Sequence, residues 1–155
     1  LDVGTSERLQ LARYDSLQPH YNLAYRAEFE RELEELCLDQ KIGVIPYSPL
    51  AGGFLTGKYR RDADVPPSAR ASSVQKRYFN QPGWAIIDAL EQVSQARSAT
   101  ITQVALAWLL SRPSVTSPII GANHPEQLAD TLGALDVALT SEEIKQLDDA
   151  SSWQE

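Results

Sequence analysis

Ile42 to Tyr59, IGVIPYSPLAGGFLTGKY, sets three glycines and a lysine directly behind a short β-branched run. Ile42, Val44 and Ile45 suit a buried parallel strand. Tyr47-Ser48-Pro49 ends it, because proline gives no donor to a ladder and restricts the residue before it. Gly52, Gly53 and Gly57 let backbone N–H groups approach an anion, and Lys58 adds a point charge. The chemistry on offer is recognition of a phosphate-bearing ligand. The plainer alternative is a strand followed by a flexible surface loop.

Gly52 to Lys58 also spells G-x-x-x-x-G-K, most of a nucleotide triphosphatase P-loop. That motif needs Ser or Thr next, to hold magnesium, and then a helix facing the phosphates. Position 59 is Tyr, followed by Arg60, Arg61, Asp62 and soon Pro66-Pro67. The P-loop reading is set aside for want of both the hydroxyl and the helix.

The elements that must position this loop follow from the rest of the chain. At 155 residues and 43% hydrophobic it has length for about one domain and apolar content for a core. A net charge of −7 argues against nucleic-acid or membrane-surface partners, so any anion must meet a local cationic cluster. The single Cys37 excludes an intramolecular disulfide and fits a reducing, cytoplasmic setting, with a packing role rather than a nucleophilic one. No apolar run reaches membrane-spanning length, and LDVGTSERLQ lacks the basic start and apolar core of a signal peptide.

Periodicity predicts the tail of a helix and its exit over Leu1 to Arg13, then a strand over Asp15 to Leu17. A helix follows from Ala27 to Gln40, with Phe29, Leu33, Leu36 and Cys37 on one face. After the strand Ile42 to Ile45, residues Ala51 to Gly83 read as a long loop, whose PPSARASS holds one cation, Arg70, among hydroxyls. Helices are predicted over Trp84 to Ala96 and Gln103 to Ser111, the latter well buried. Val115 to Ile120 reads as a strand made irregular by Pro118. Helices then follow from Glu126 to Leu135, led by Pro125, and from Thr140 onward, with hydroxyls at the cap and carboxylates in the first turn. Alternation of this kind is α/β with parallel strands. Ligand groups then gather after the strands, at Gln18, Tyr47 to Lys58 and Gly121 to Gln127. Three strands leave open edges, and the apolar faces of Ile42-Val44 and Val115-Ile119-Ile120 are expected to lack partners.

SLQPHYNLAYR, IGVIPYSPLAGGFLTGKYR, PPSARA, ALAWLLSRPSVTSPIIGANHPEQL and TSEEIKQLDDAS occur in that order. Together they resemble the C-terminal half of an aldo-keto reductase, in the branch that includes potassium-channel β subunits and bacterial reductases of similar length. The resemblance implies part of a TIM (β/α)8 barrel, about three parallel strands (six to eight) with their helices and a C-terminal extra helix. Residues 1–155 would then be the C-terminal portion of one barrel domain that binds NADPH. Gln18 matches the glutamine at the nicotinamide carboxamide, and Tyr47 the ring on which the nicotinamide stacks. Ser48, Leu50 and Ala51 match the pyrophosphate segment, with Lys58 beside it. Arg70 matches the loop arginine near the adenosine phosphate. Asn123, Gln127 and Asp130 match adenosine-end positions, and Gly121 is placed with them among the cofactor-binding residues.

Many relatives carry Ser at the place of Asn123 and Arg at that of Gln127, which leaves the 2′-phosphate to Arg70. The family's catalytic Asp, Tyr, Lys and His belong to the earlier strands. His20, Tyr21, Tyr25 and His124 match none of them, so no catalytic residue and no metal ligand is expected here. The implied function is hydride transfer from NADPH to an aldehyde or ketone once the N-terminal half is present. A non-catalytic nucleotide-sensing or assembly module is the alternative, and self-association the alternative to a missing half-barrel.

Overall fold

A computed structural model describes residues 3–153. In chain order it contains α1 (Val3–Leu9), β1 (Ser16–Leu17), α2 (Ala27–Glu30), α3 (Leu33–Gln40) and β2 (Gly43–Val44). A 3-10 segment (Ala51–Thr56), α4 (Ala71–Tyr78), α5 (Gln81–Arg97) and α6 (Ile101–Leu110) follow. The chain closes with α7 (Pro125–Leu132), a second 3-10 segment (Gly133–Asp136) and α8 (Ser141–Ala150). Leu1 and Asp2, part of the first helix expected from the sequence, lie outside the described residues.

β1 and β2 pair in parallel, Ser16 with Gly43 and Leu17 with Val44. The expected strand at Val115 to Ile120 is reduced to one parallel bridge, Val44 to Val115. Pro118 has no N–H to give. The run nevertheless follows β2 on either side of it, through Thr116 N–H to the Val44 carbonyl (2.8 Å) and Ile119 N–H to the Pro46 carbonyl (2.8 Å). The architecture is therefore α/β, mostly helical, around a two-stranded parallel sheet with a third extended run alongside.

Strand alternation sends Ile42 and Val44 to one face, and both are buried there (4% and 0% exposed). The expectation of uncovered apolar faces is corrected for Ile42-Val44, which the helices cover; of Val115-Ile119-Ile120, Ile119 stays 42% exposed. The other face presents exposed Ser16 and Thr116 and half-buried Gly43 and Ile45. Phe54, Leu55, Leu90, Trp108, Leu109 and Leu147 fill the core, and α5 packs against α6 and α8. α6 is buried along most of its length, as its apolar circumference requires. Thr100–Gln103 and Thr140–Glu143 form capping boxes at the starts of α6 and α8, satisfying otherwise orphaned N–H groups.

Two expected elements differ. The helix from Ala27 to Gln40 is broken at Glu32, whose φ of −141° is not helical; the apolar period continues across the break and gives no sign of it. Ala51 to Gly83 is not plain loop, because α4 lies within it and buries Val74 and Tyr78. Two buried positions are too few to register as a period.

A buried ionic network ties α2 to α8 and the residues after it. The Glu30 carboxylate accepts from Tyr21 Oη (2.7 Å), Arg26 Nε (2.8 Å) and Trp153 Nε1 (2.9 Å). Arg26 also donates to Ser151 Oγ (2.7 Å) and pairs with Asp148 (3.0 Å). Burial opposes ionisation of Glu30, but the bonds from Arg26, Trp153 and Tyr21 outweigh it and hold the carboxyl below its ordinary value. A depressed carboxyl stabilises the fold above its unfolded value, and that contribution is lost as pH falls through the folded value. Arg26→Ala removes the cation paired with Glu30 and should lower the unfolding free energy by about 3 kcal/mol, read by urea denaturation. Glu30→Gln should flatten the acid limb of the stability profile.

Candidate functional site

Three chain segments leave the sheet at one level. Tyr47 N–H donates to the Pro19 carbonyl (3.0 Å) just past β1, and Ile119 N–H to Pro46 just past β2 (2.8 Å). Gln18, Tyr47 and the Ile119–Gly121 run therefore sit side by side at the C-terminal ends of parallel segments. Gln18 is exposed, and Tyr47 is 45% exposed.

Beyond Tyr47 the backbone turns through a series of left-handed residues: Ser48 (φ 55°), Ala51 (52°), Gly52 (68°) and Gly53 (97°). Leu50 is half-buried and Ala51 buried, which anchors this turn to the core. A Cβ on Gly53 would lie 3.0 Å from Lys58 Nζ, so the ammonium bends over the turn. On the other side, a Cβ on Gly52 would lie 3.0 Å from Val74 Cγ2 and 3.9 Å from Arg70 Cδ. The α4 segment, unforeseen in the sequence, is what brings Arg70 to the glycines: the arginine is its N-cap residue. Arg60 and Arg61 pair with Glu91 and Asp88. No ion pair is formed by Lys58 or Arg70 among the described residues. The result is a tight backbone turn flanked by two cations outside those ion pairs, with Lys58 lying over the Tyr59 ring (5.0 Å).

Gly121, Asn123 and Gln127 are exposed beyond the third segment, and Gly121 has open space where a side chain would be. Gln127 Oε1 accepts from Asn123 N–H (2.9 Å) across the start of α7. Asp130 faces α6 instead, accepting from Thr100 Oγ1 (2.9 Å). The structure thus gathers Tyr47, Ser48, Leu50, Ala51, Lys58 and Arg70, while engaging Gln127 and Asp130 in holding α7.

Two residues of the site went unrecognised in the sequence. His20 is stacked between Tyr25 (centroids 4.2 Å apart) and Tyr47 (5.0 Å). Asn22, fully buried, donates to the Ser48 carbonyl (2.9 Å) and accepts from Ala24 N–H (2.9 Å). The available signal was an asparagine set between the core residues Tyr21 and Leu23. A separate concavity of about 500 Å3, bounded by Tyr25, Arg31, Pro82, Ile86 and Trp153, shares no lining residue with the glycine turn.

A family model described as "Aldo/keto reductase family" matches residues 3–152. The chain belongs to the aldo/keto reductase family. It is 39% identical over 137 residues to an NADH-specific methylglyoxal reductase of Escherichia coli, covering 86% of the chain and 41% of that protein. A probable voltage-gated potassium channel subunit beta of Arabidopsis thaliana is 33% identical over 141 residues (86% and 42%). Versiconal hemiacetal acetate reductase of Aspergillus parasiticus is 33% identical over 139 residues (88% and 40%). The chain therefore spans about two fifths of the length of these relatives. Among the described residues, no helix is long and apolar enough to cross a membrane.

Gly53→Ala meets both a left-handed φ and the Lys58 ammonium. The substitution should destabilise the fold by about 1–2 kcal/mol, seen as a lowered thermal midpoint, and should displace Lys58 from the turn.

Proposed function

We propose that residues 1–155 are the cofactor-binding portion of a reductase barrel, and that the assembled barrel reduces an aldehyde or ketone with NADPH in the cytoplasm. The observation that carries this is the left-handed turn at Gly52–Gly53, with Lys58 on one side and Arg70 on the other. The Ala51 and Gly53 N–H groups are bound within the turn, to the Ser48 (3.0 Å) and Leu50 (2.9 Å) carbonyls, so the charge offered to an anion comes from the two cations around it. A pyrophosphate fits that chemistry. Tyr47, 45% exposed and stacked with His20, suits the flat face of a nicotinamide, and Gln18 on the neighbouring segment suits its carboxamide. When bound, the cofactor would supply the hydride.

The chain's own residues bind and orient. They do not include a proton donor for the carbonyl oxygen, a task that in this family belongs to a tyrosine acid beside a lysine. Completion by the earlier barrel strands is supported by the sheet face that Ser16, Gly43, Ile45 and Thr116 leave uncovered by the described helices. Mixed with a polypeptide carrying the first five strands, the chain should form a monomeric barrel and consume NADPH in the presence of an aldehyde. Sedimentation and absorbance at the nicotinamide band read both. A chain that reduces the aldehyde unaided refutes this division of labour. An assembly that binds NADPH without turnover would favour a nucleotide-sensing module.

One relative is named for NADH, so the preference for the 2′-phosphate needs its own determinant. Gln127 carries no charge and is engaged at the start of α7; Arg70 is exposed and uncommitted. A charge-assisted bond to phosphate contributes about 1.5–3 kcal/mol. Arg70→Ala in the assembled barrel should weaken NADPH about tenfold or more and leave NADH nearly unchanged. Fluorescence titration of both cofactors decides it, and equal losses would remove Arg70 from the selectivity.

A further inference from the structure

We propose that His20 and Asn22 form a proton-sensitive latch that fixes the Tyr47–Ser48 step and so presents the Tyr47 ring to a nicotinamide; this rests on the cofactor reading above.

The latch is built from geometry. Asn22 N–H donates to the Tyr25 carbonyl (3.3 Å) and Tyr25 N–H to the Asn22 carbonyl (2.9 Å), closing a tight turn that returns Tyr25 to the His20 ring. His20 then lies nearly parallel to both tyrosines, 22° from Tyr25 and 19° from Tyr47. One face of Tyr47 is thus backed by the imidazole, while the residue remains 45% exposed. A planar ligand on the open face would extend the stack.

The amide of Asn22 is oriented without ambiguity. Its Oδ1 accepts from the Ala24 backbone, so Nδ2 is the group that meets Ser48 O (2.9 Å) and His20 Nε2 (3.4 Å). A hydrogen bond across that contact makes Nε2 the acceptor, with the imidazole proton on Nδ1. Protonation at Nε2 would set two donors face to face. Asn22 could keep Ser48 only by losing His20, and Ser48 sits at a left-handed φ of 55° that needs support.

Among the charged and titratable groups around the ring, those that disfavour its charge prevail. Burial and the Arg77 guanidinium of α4 hold the imidazole below its ordinary value, against a smaller pull from the Glu28 carboxylate of α2. Tyr25 donates to Glu28, which occupies part of that carboxylate. A histidine held low in the folded state makes the ordered stack most stable above the unfolded value of about 6.5. That stability is lost as pH falls below it, fully once pH is under the folded value.

The test is calorimetric titration with NADP+, which tolerates acid, on the chain paired with the first-five-strand polypeptide. Between about pH 7.5 and pH 5 the wild type should weaken about threefold or more. His20→Phe keeps a ring without a proton and should show only the smaller pH dependence that the cofactor's own 2′-phosphate brings; His20→Ala should bind weakly throughout. Equal pH dependence in wild type and His20→Phe overturns the latch. NMR of the imidazole signals, assigned with His124→Ala, gives a second readout. The Ser48 and Tyr47 amide signals should titrate with His20 in the wild type. If NADP+ fails to bind at any pH, the cofactor reading has failed. The latch is then judged by that coupling alone, and its absence sinks it.

Discussion

Everything at the candidate site depends on the register of three parallel segments. The second and third each donate to the carbonyl of the segment beside them, Tyr47 to Pro19 and Ile119 to Pro46. A slip of one residue would turn every side chain to the opposite face. It would exchange buried Val44 for Ile45 and carry Tyr47 away from His20. The register is held from outside the ladder as well. Val44 N–H donates to Thr116 Oγ1 (3.1 Å), so a side chain of the third segment takes up a strand donor. Two-residue strands are too short to fix a register by pairing alone. The helices packed on Ile42 and Val44 supply the remainder.

The helical layer is in turn locked by charge as well as by apolar contact. Trp108 lies beneath two guanidiniums, Arg26 (5.2 Å) and Arg112 (5.3 Å), and its Nε1–H donates to Asp148 (3.0 Å). Asp148 pairs with both arginines, so α2, α6, α8 and the loop after α6 meet at one carboxylate. Paired charges that are mostly buried contribute little net stability over apolar packing, but they specify which arrangement forms. Here the arrangement they specify closes the chain's last turn onto α2, next to the Asn22–Tyr25 turn. Packing and site are therefore linked through α2: its start fixes Tyr25, and Tyr25 backs His20.

The cationic loop is economical in a chain of net charge −7. Several arginines are consumed by carboxylates: Arg60 by Glu91, Arg61 by Asp88, Arg97 by Glu143. Lys58 and Arg70 are left flanking Gly52 and Gly53, where a side chain would be strained. Surface pairs of the first kind contribute little to stability. They do neutralise charge that would otherwise compete for an anion. Local composition, rather than the overall balance, decides what this surface attracts.

The sequence alone determined the α/β alternation outside residues 51–83, the buried character of α6, the capped start of α8 and the family. Those are properties of short windows: apolar period, hydroxyl-to-carboxylate spacing and motifs that survive in linear order. It also marked Tyr47 to Lys58 and Arg70, because glycine and isolated cations stand out without a fold. Tertiary structure alone decided the rest. The helix holding Val74 and Tyr78 forms against the Ala51–Thr56 segment and α5, and neither it nor the break at Glu32 disturbs the local period enough to be read. Pro118 could be seen, yet whether it ended a strand or reduced it to a bridge depended on what β2 offered beside it. The Tyr25–His20–Tyr47 stack joins residues across a turn and a parallel pairing. Ring geometry and the hydrogen-bonding of Asn22 follow from that juxtaposition, which no spacing along the chain encodes.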